Sequence, residues 1–147
     1  MDTQGVPLTV FDANPALLRT GMTVNHAASF SRRELYMRHG GFKLEYRAAM
    51  DYELYLRFAT RGAVLERTDA ILAVMALGGT SDRHWQRALA EVRQAQLEHG
   101  VGFVEAQARF GYGLLKGRAR RVLERLGADT VVDFYRRRVA LVNRGEP

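Results

Sequence analysis

With no cysteine anywhere in its 147 residues, the chain can do chemistry only with carboxylates, hydroxyls and four histidines. Disulfides, thiolate nucleophiles and zinc-thiolate sites are excluded together. Among the carboxylates Asp51 stands out, at the start of a short helical pattern over residues 47–57 that Gly62 closes. An acid in a first helical turn can face a cleft, favoured as an anion by the helix dipole, while Leu54 and Phe58 at i+3 and i+7 hold the helix in a core. Asp is also a favoured N-cap, so a purely structural role stays open.

His26 is the second candidate. Met22, Val24, His26, Ala28 and Phe30 alternate with Thr23, Asn25, Ala27 and Ser29, which reads as a half-buried strand with His26 on its apolar face. There it is either a core histidine satisfied by one hydrogen bond or a cleft-lining group. Gly79 and Ser81 belong to Gly78-Gly79-Thr80-Ser81, either a close-approach loop for a ligand or an ordinary turn. The histidines at 26, 39, 84 and 99 show no metal-ligand spacing, so no metal is expected on this chain alone.

The elements that must position these groups follow from periodicity. Residues 1–20 read as loop with one short strand at 8–11. Ser31 caps a short helix over 32–38, in which Leu35 and Tyr36 pack and His39-Gly40-Gly41 marks the end. Residues 42–46 connect it to the Asp51 helix, on which Glu53 and Arg57 read as an exposed i,i+4 pair. Residues 70–77 are apolar on both faces and read as a buried strand. Ser81 caps a helix with Trp85, Leu89, Val92 and Gln96 on one stripe, closed at Gly100. In the tail Leu115, Ala119, Val122, Leu123 and Leu126 form a 3.6-period stripe ending at Gly127, and Asp129 caps a second segment carrying Val131, Val132, Tyr135, Val139 and Val142.

The composition is that of an ordinary globular domain, with no run long enough to span a bilayer and no signal-peptide pattern, which points to the cytoplasm. Its net charge of +6 is concentrated at one end. Residues 1–109 hold 13 Lys/Arg against 12 Asp/Glu, and residues 110–147 hold 9 against 4. The division is therefore a main part over 1–109 and a basic amphipathic helical tail over 110–147. Such a tail suits an anionic membrane surface, peripheral on its inner face, or is a solvated face of packed helices. Nucleic acid is disfavoured, because no platform of aromatics interleaves its arginines.

Asn25-His26 through Tyr36, then Gly40-Gly41-Phe42, then Ala49-Met50-Asp51 through Arg57, then Gly78-Gly79-Thr80-Ser81, together resemble the second half of a bacterial family 2 glycosyltransferase. The resemblance covers roughly residues 21–100 and rests on the order of four individually weak features. It implies an α/β class with an incomplete, Rossmann-like GT-A fold, a few strands with helices. It implies transfer with inversion from a nucleotide-sugar to a saccharide or lipid-linked acceptor, in cell-surface polysaccharide biosynthesis. Asp51 matches the family's general base, and His26, Gly79 and Ser81 become substrate-binding candidates. Removing a proton from a poorly nucleophilic sugar hydroxyl is useful at about 100- to 10,000-fold in rate.

One departure qualifies the resemblance. The family's nucleotide-binding half, with an Asp-x-Asp motif for a divalent metal such as Mg or Mn, has no counterpart, since no Asp-x-Asp occurs in the chain. Residues 1–20 resemble the loop after that motif, so a donor half is expected elsewhere and the chain is expected to be inactive alone. The competing expectation is a non-catalytic α/β interaction or membrane-surface module.

Overall fold

A computed structural model describes residues 13–70, 72–73 and 84–125. Among the described residues there are four α-helices and two 3-10 turns: the turns Pro15–Thr20 and His26–Ala28, then α1 (Arg33–His39), α2 (Met50–Thr60), α3 (Trp85–Glu98) and α4 (Phe103–Arg125). The short strand read at 8–11, most of that at 70–77 and the helix read beyond Asp129 lie outside the described residues.

Three of the other described elements pack around α2. Seven consecutive residues, Tyr52 to Phe58, are buried, so the helix has no solvent face along its middle. A helix covered on every side must be enclosed by other elements. Here α1, α3 and the Pro15–Thr20 turn all contact it. Leu54 and Phe58 are buried as anchors, with Phe58 meeting Tyr36 of α1 edge to face at 5.4 Å between centroids. Leu18, Val24, Tyr46, Tyr52, Leu56 and Ala95 complete the core.

The α/β, GT-A expectation is overturned, because the described residues are helical and contain no strand. Alternation marks which side chains can be half-buried, but a strand also needs a neighbour to receive its backbone N–H and C=O groups. Around residue 23 the backbone meets a turn instead. Asn14 N–H donates to the Thr23 carbonyl at 2.9 Å and Thr23 Oγ1 donates back to the Asn14 carbonyl at 2.7 Å. The alternation then breaks at His26–Ala28, where the Asn25 side chain accepts the Ala27 N–H and bends the chain into a 3-10 turn. Val24 ends up buried while Phe30, nominally on the same face, is 90% exposed.

Two further readings need correction. Glu53 and Arg57 do pair, at 3.0 Å, but inside the protein, at 0% and 5% exposure. The guanidinium also donates to the carbonyls of His39 and Gly41, both at 2.6 Å, so it clamps the turn that ends α1. Gly40 at that turn has φ +84, and a Cβ there would lie 3.1 Å from the Arg57 guanidinium. The positive φ is what favours glycine there, and an added Cβ would also require the guanidinium to give by a few tenths of an ångström. The α1 helix itself opens with Arg32 at its N-cap and no side-chain cap, rather than with Ser31.

Helix α4 is continuous through residue 110 and lies against α3, but Leu115 and Val122 face outward at 68% and 53% exposure. The packed face is built on glycines. Leu89 presses on Gly113, Trp85 presses on Gly117, and the guanidiniums of Arg121 and Arg93 lie over the rings of Trp85 and Phe110. Missing side chains on α4 make the hollow that the bulky stripe of α3 fills. The two helices run antiparallel, joined at residues 99–102. The connection turns at Gly100, φ +80, and is closed by Val101 N–H on the Gln96 carbonyl at 2.8 Å.

Candidate active site

Asp51 sits in the first turn of α2, one residue inside the helix rather than at its N-cap, which is Ala49. Its two oxygens have different partners. Oδ1 accepts the N–H of Tyr52 at 2.8 Å, one of the donors a helix start leaves without an intrahelical acceptor. Oδ2 lies 3.0 Å from Nδ1 of His26. The Asp51 side chain remains 26% exposed and that of His26 55% exposed, so a solute can reach the pair. His26 is neither in the core nor isolated, because the 3-10 turn that replaced its strand swings the ring onto the start of α2.

Tyr55, one turn after Asp51 and buried, is a further neighbour that the sequence did not single out. Burial pushes its hydroxyl above the ordinary value, the Asp51 charge adds to this, and hydrogen bonding with Ser29 and Ser31 opposes it. The i,i+4 relation to Asp51 was the available signal. Carboxylate and imidazole thus meet at the positive end of one helix, with the Tyr55 phenol one turn further along. Such a set can take a proton from a hydroxyl and hold the imidazole in a fixed orientation. Gly79 and Ser81, the other two substrate-binding candidates, lie outside the described residues.

What holds this helix start in place comes from α3. The Glu91 carboxylate, 7% exposed, accepts three successive backbone N–H groups through one oxygen: Arg47 at 2.9 Å, Ala48 at 2.7 Å and Ala49 at 2.9 Å. Its other oxygen accepts from Arg87 Nε at 2.7 Å. Burial alone would raise its pKa, but these donors and the Arg87 cation hold it below the usual carboxylate range. Glu91 therefore fixes the chain up to the N-cap of α2, and with it the position of Asp51.

A second polar cluster lies at the other side of α2. Glu53 Oε1 is 2.9 Å from Nε2 of His99 and 3.1 Å from Nζ of Lys43, and Lys43 reaches Glu98 at 2.7 Å. Burial pushes the Glu98 carboxyl up, yet Lys43, Gln94 and Tyr46 together bring it down to about 2. Glu53, Glu98 and His99 place one potential ligand atom each within 4.8 Å of one another. That set does not fit the divalent metal expected of a complete enzyme, since the Lys43 ammonium already bridges its two carboxylates. A cation of the protein's own occupies the position a metal would take.

No helix among the described residues is long and apolar enough to cross a membrane. Comparison of the chain with protein-family models, with curated proteins and with solved structures found no match.

Proposed function

We propose that the chain is the acceptor-side part of an inverting glycosyltransferase, with Asp51 as its general base. The observation that carries this reading is the Asp51–His26 pair: a reachable carboxylate at a helix N-terminus, one oxygen tied to Tyr52 N–H and the other 3.0 Å from an imidazole nitrogen. The order of features along residues 25–57 supports the same assignment.

In the reaction, a hydroxyl of a saccharide or lipid-linked acceptor gives its proton to Asp51 as its oxygen attacks the anomeric carbon of a nucleotide-sugar. The bond from that carbon to the nucleoside diphosphate breaks, and the leaving group departs with the electron pair, inverting the centre. With its proton on Nδ1, His26 donates to Oδ2 and aims the carboxylate. The chain carries no Asp-x-Asp, so on this reading the nucleotide-sugar is held by groups other than that motif.

Acceptor-dependent release of nucleoside diphosphate by the full-length gene product, across a panel of nucleotide-sugars, tests this reading. Folded protein that releases none, or releases it independently of acceptor, refutes it. One observation favours a non-catalytic alternative: both Asp51 oxygens already have partners within the protein, as a purely structural carboxylate would.

A further inference from the structure

Helix α4 is apolar on two opposite faces, and only one of them is covered. Its inner face, Ala106, Gly113 and Gly117, meets the rest of the protein. On the opposite side Val104, Ala108, Tyr112, Leu115, Ala119 and Val122 recur at intervals of three and four, and all are exposed. At 1.5 Å per residue that stripe runs for about 27 Å. Exposed apolar residues singly need no explanation, but a continuous stripe on one helix face does.

The charge beside the stripe says what it fits. On the helical wheel Lys116 and Arg109 fall along one border and Arg118 along the other. Between residues 106 and 123 there are five Lys/Arg and no acid, although one of the five, Arg121, lies over the Trp85 ring on the packed side. Glu105, at the start, is turned to Arg109 at 2.8 Å. A second copy of the helix laid on this face would bring like-charged borders together, which disfavours self-association. Single-stranded nucleic acid would need stacking rings, and the stripe offers Tyr112 alone.

We propose that the outward face of α4 is a docking surface for anionic lipid. The stripe enters the boundary between headgroups and acyl chains, the stems of Lys116 and Arg118 cover its edges, and their charged ends meet headgroup phosphates. The geometry does not depend on Asp51, so this surface stands or falls separately from the proposed reaction.

Flotation of the full chain with vesicles of phosphatidylcholine, with and without phosphatidylglycerol, provides the test. The chain is expected to float with anionic vesicles, weakly with neutral ones, and less as salt rises. Lys116→Ala and Arg118→Ala should each weaken partition roughly fivefold. Leu115→Ser with Val122→Ser should weaken it by more than about tenfold. Both positions are exposed, so circular dichroism should show the helical content unchanged. Equal partition to neutral and anionic vesicles overturns the proposal, as does full binding by the Leu115→Ser, Val122→Ser variant. A dimer in sedimentation that dissociates on Leu115→Ser without any flotation would assign the face to a second copy. Binding of polyuridylate that survives Leu115→Ser, again without flotation, would assign it to nucleic acid.

Discussion

The contact on which the site's placement depends most is Glu91 against the backbone of residues 47–49, and it can be removed without touching the site. Three N–H groups at 2.7 to 2.9 Å converge on one carboxylate oxygen, buried to 7% exposure. A hydrogen bond to a charged group contributes about 1.5–3 kcal/mol net, but three sharing one oxygen do not add in full. Glu91→Ala is therefore expected to cost about 3 kcal/mol, a large part of the ~5–15 kcal/mol that holds a domain folded. Glu91→Gln keeps an acceptor but loses the charge, and should cost about half as much.

The pH dependence carries a defined sign. The pKa of Glu91 is lower in the folded protein than in the unfolded chain, so its stabilisation is fully present above about pH 4.5 and fades as pH falls through the folded value. Glu98, held at about 2, contributes in the same direction. The informative quantity is thus the wild-type minus Glu91→Gln difference, which should shrink on acidification while the Glu98 part remains in both. Urea unfolding followed by circular dichroism gives the stabilities. Native-state hydrogen exchange at the amides of Arg47, Ala48 and Ala49 should lose protection in the variant before α2 does. An unchanged unfolding midpoint with unchanged exchange at those amides would refute the role given to Glu91.

Two other perturbations follow from the packing. Gly→Ala in a helix ordinarily gains about 1 kcal/mol, so Gly111→Ala, with nothing within 4 Å of the added methyl, should raise the thermal midpoint, whereas Gly117→Ala should lower it by driving a methyl into the Trp85 ring; equal shifts of the same sign would show that α3 does not rest on that glycine. Arg57→Lys keeps the charge but cannot span Glu53 and the carbonyls of His39 and Gly41 at once, and should cost about 2–4 kcal/mol in urea unfolding; a loss below about 0.5 kcal/mol would return the pair to the surface role its spacing suggests.

The local pattern on α2 was legible: Leu54 and Phe58 pack as their spacing implies, and Trp85 and Leu89 lie on one packed stripe of α3. What was not legible depends on partners far away in the chain. An i,i+4 Glu53–Arg57 pair is ordinarily wet, and it is the carbonyls of His39 and Gly41 and the ring of His99 that bury it. The donors to Glu91 are more than 40 residues from it. Hydropathy groups Leu115 and Val122 into one stripe without saying whether it packs, and α4 packs instead through Gly113 and Gly117, where shape rather than apolarity decides. Alternation over residues 22–30 suggested a strand, but a strand is a property of two segments and period two reports on one. In the site, residue type pointed to both Asp51 and His26, while their contact depended on the 3-10 turn at His26–Ala28.

The central claim is that Asp51 is a base, and Asp51→Asn in the full-length protein tests it most directly. The substitution keeps the size and an acceptor for Tyr52 N–H while removing the group that receives the proton. Acceptor-dependent sugar transfer should fall by about 100- to 10,000-fold with the unfolding midpoint little changed. Transfer at the wild-type rate, or a loss of rate that only tracks a loss of folded protein, would contradict it.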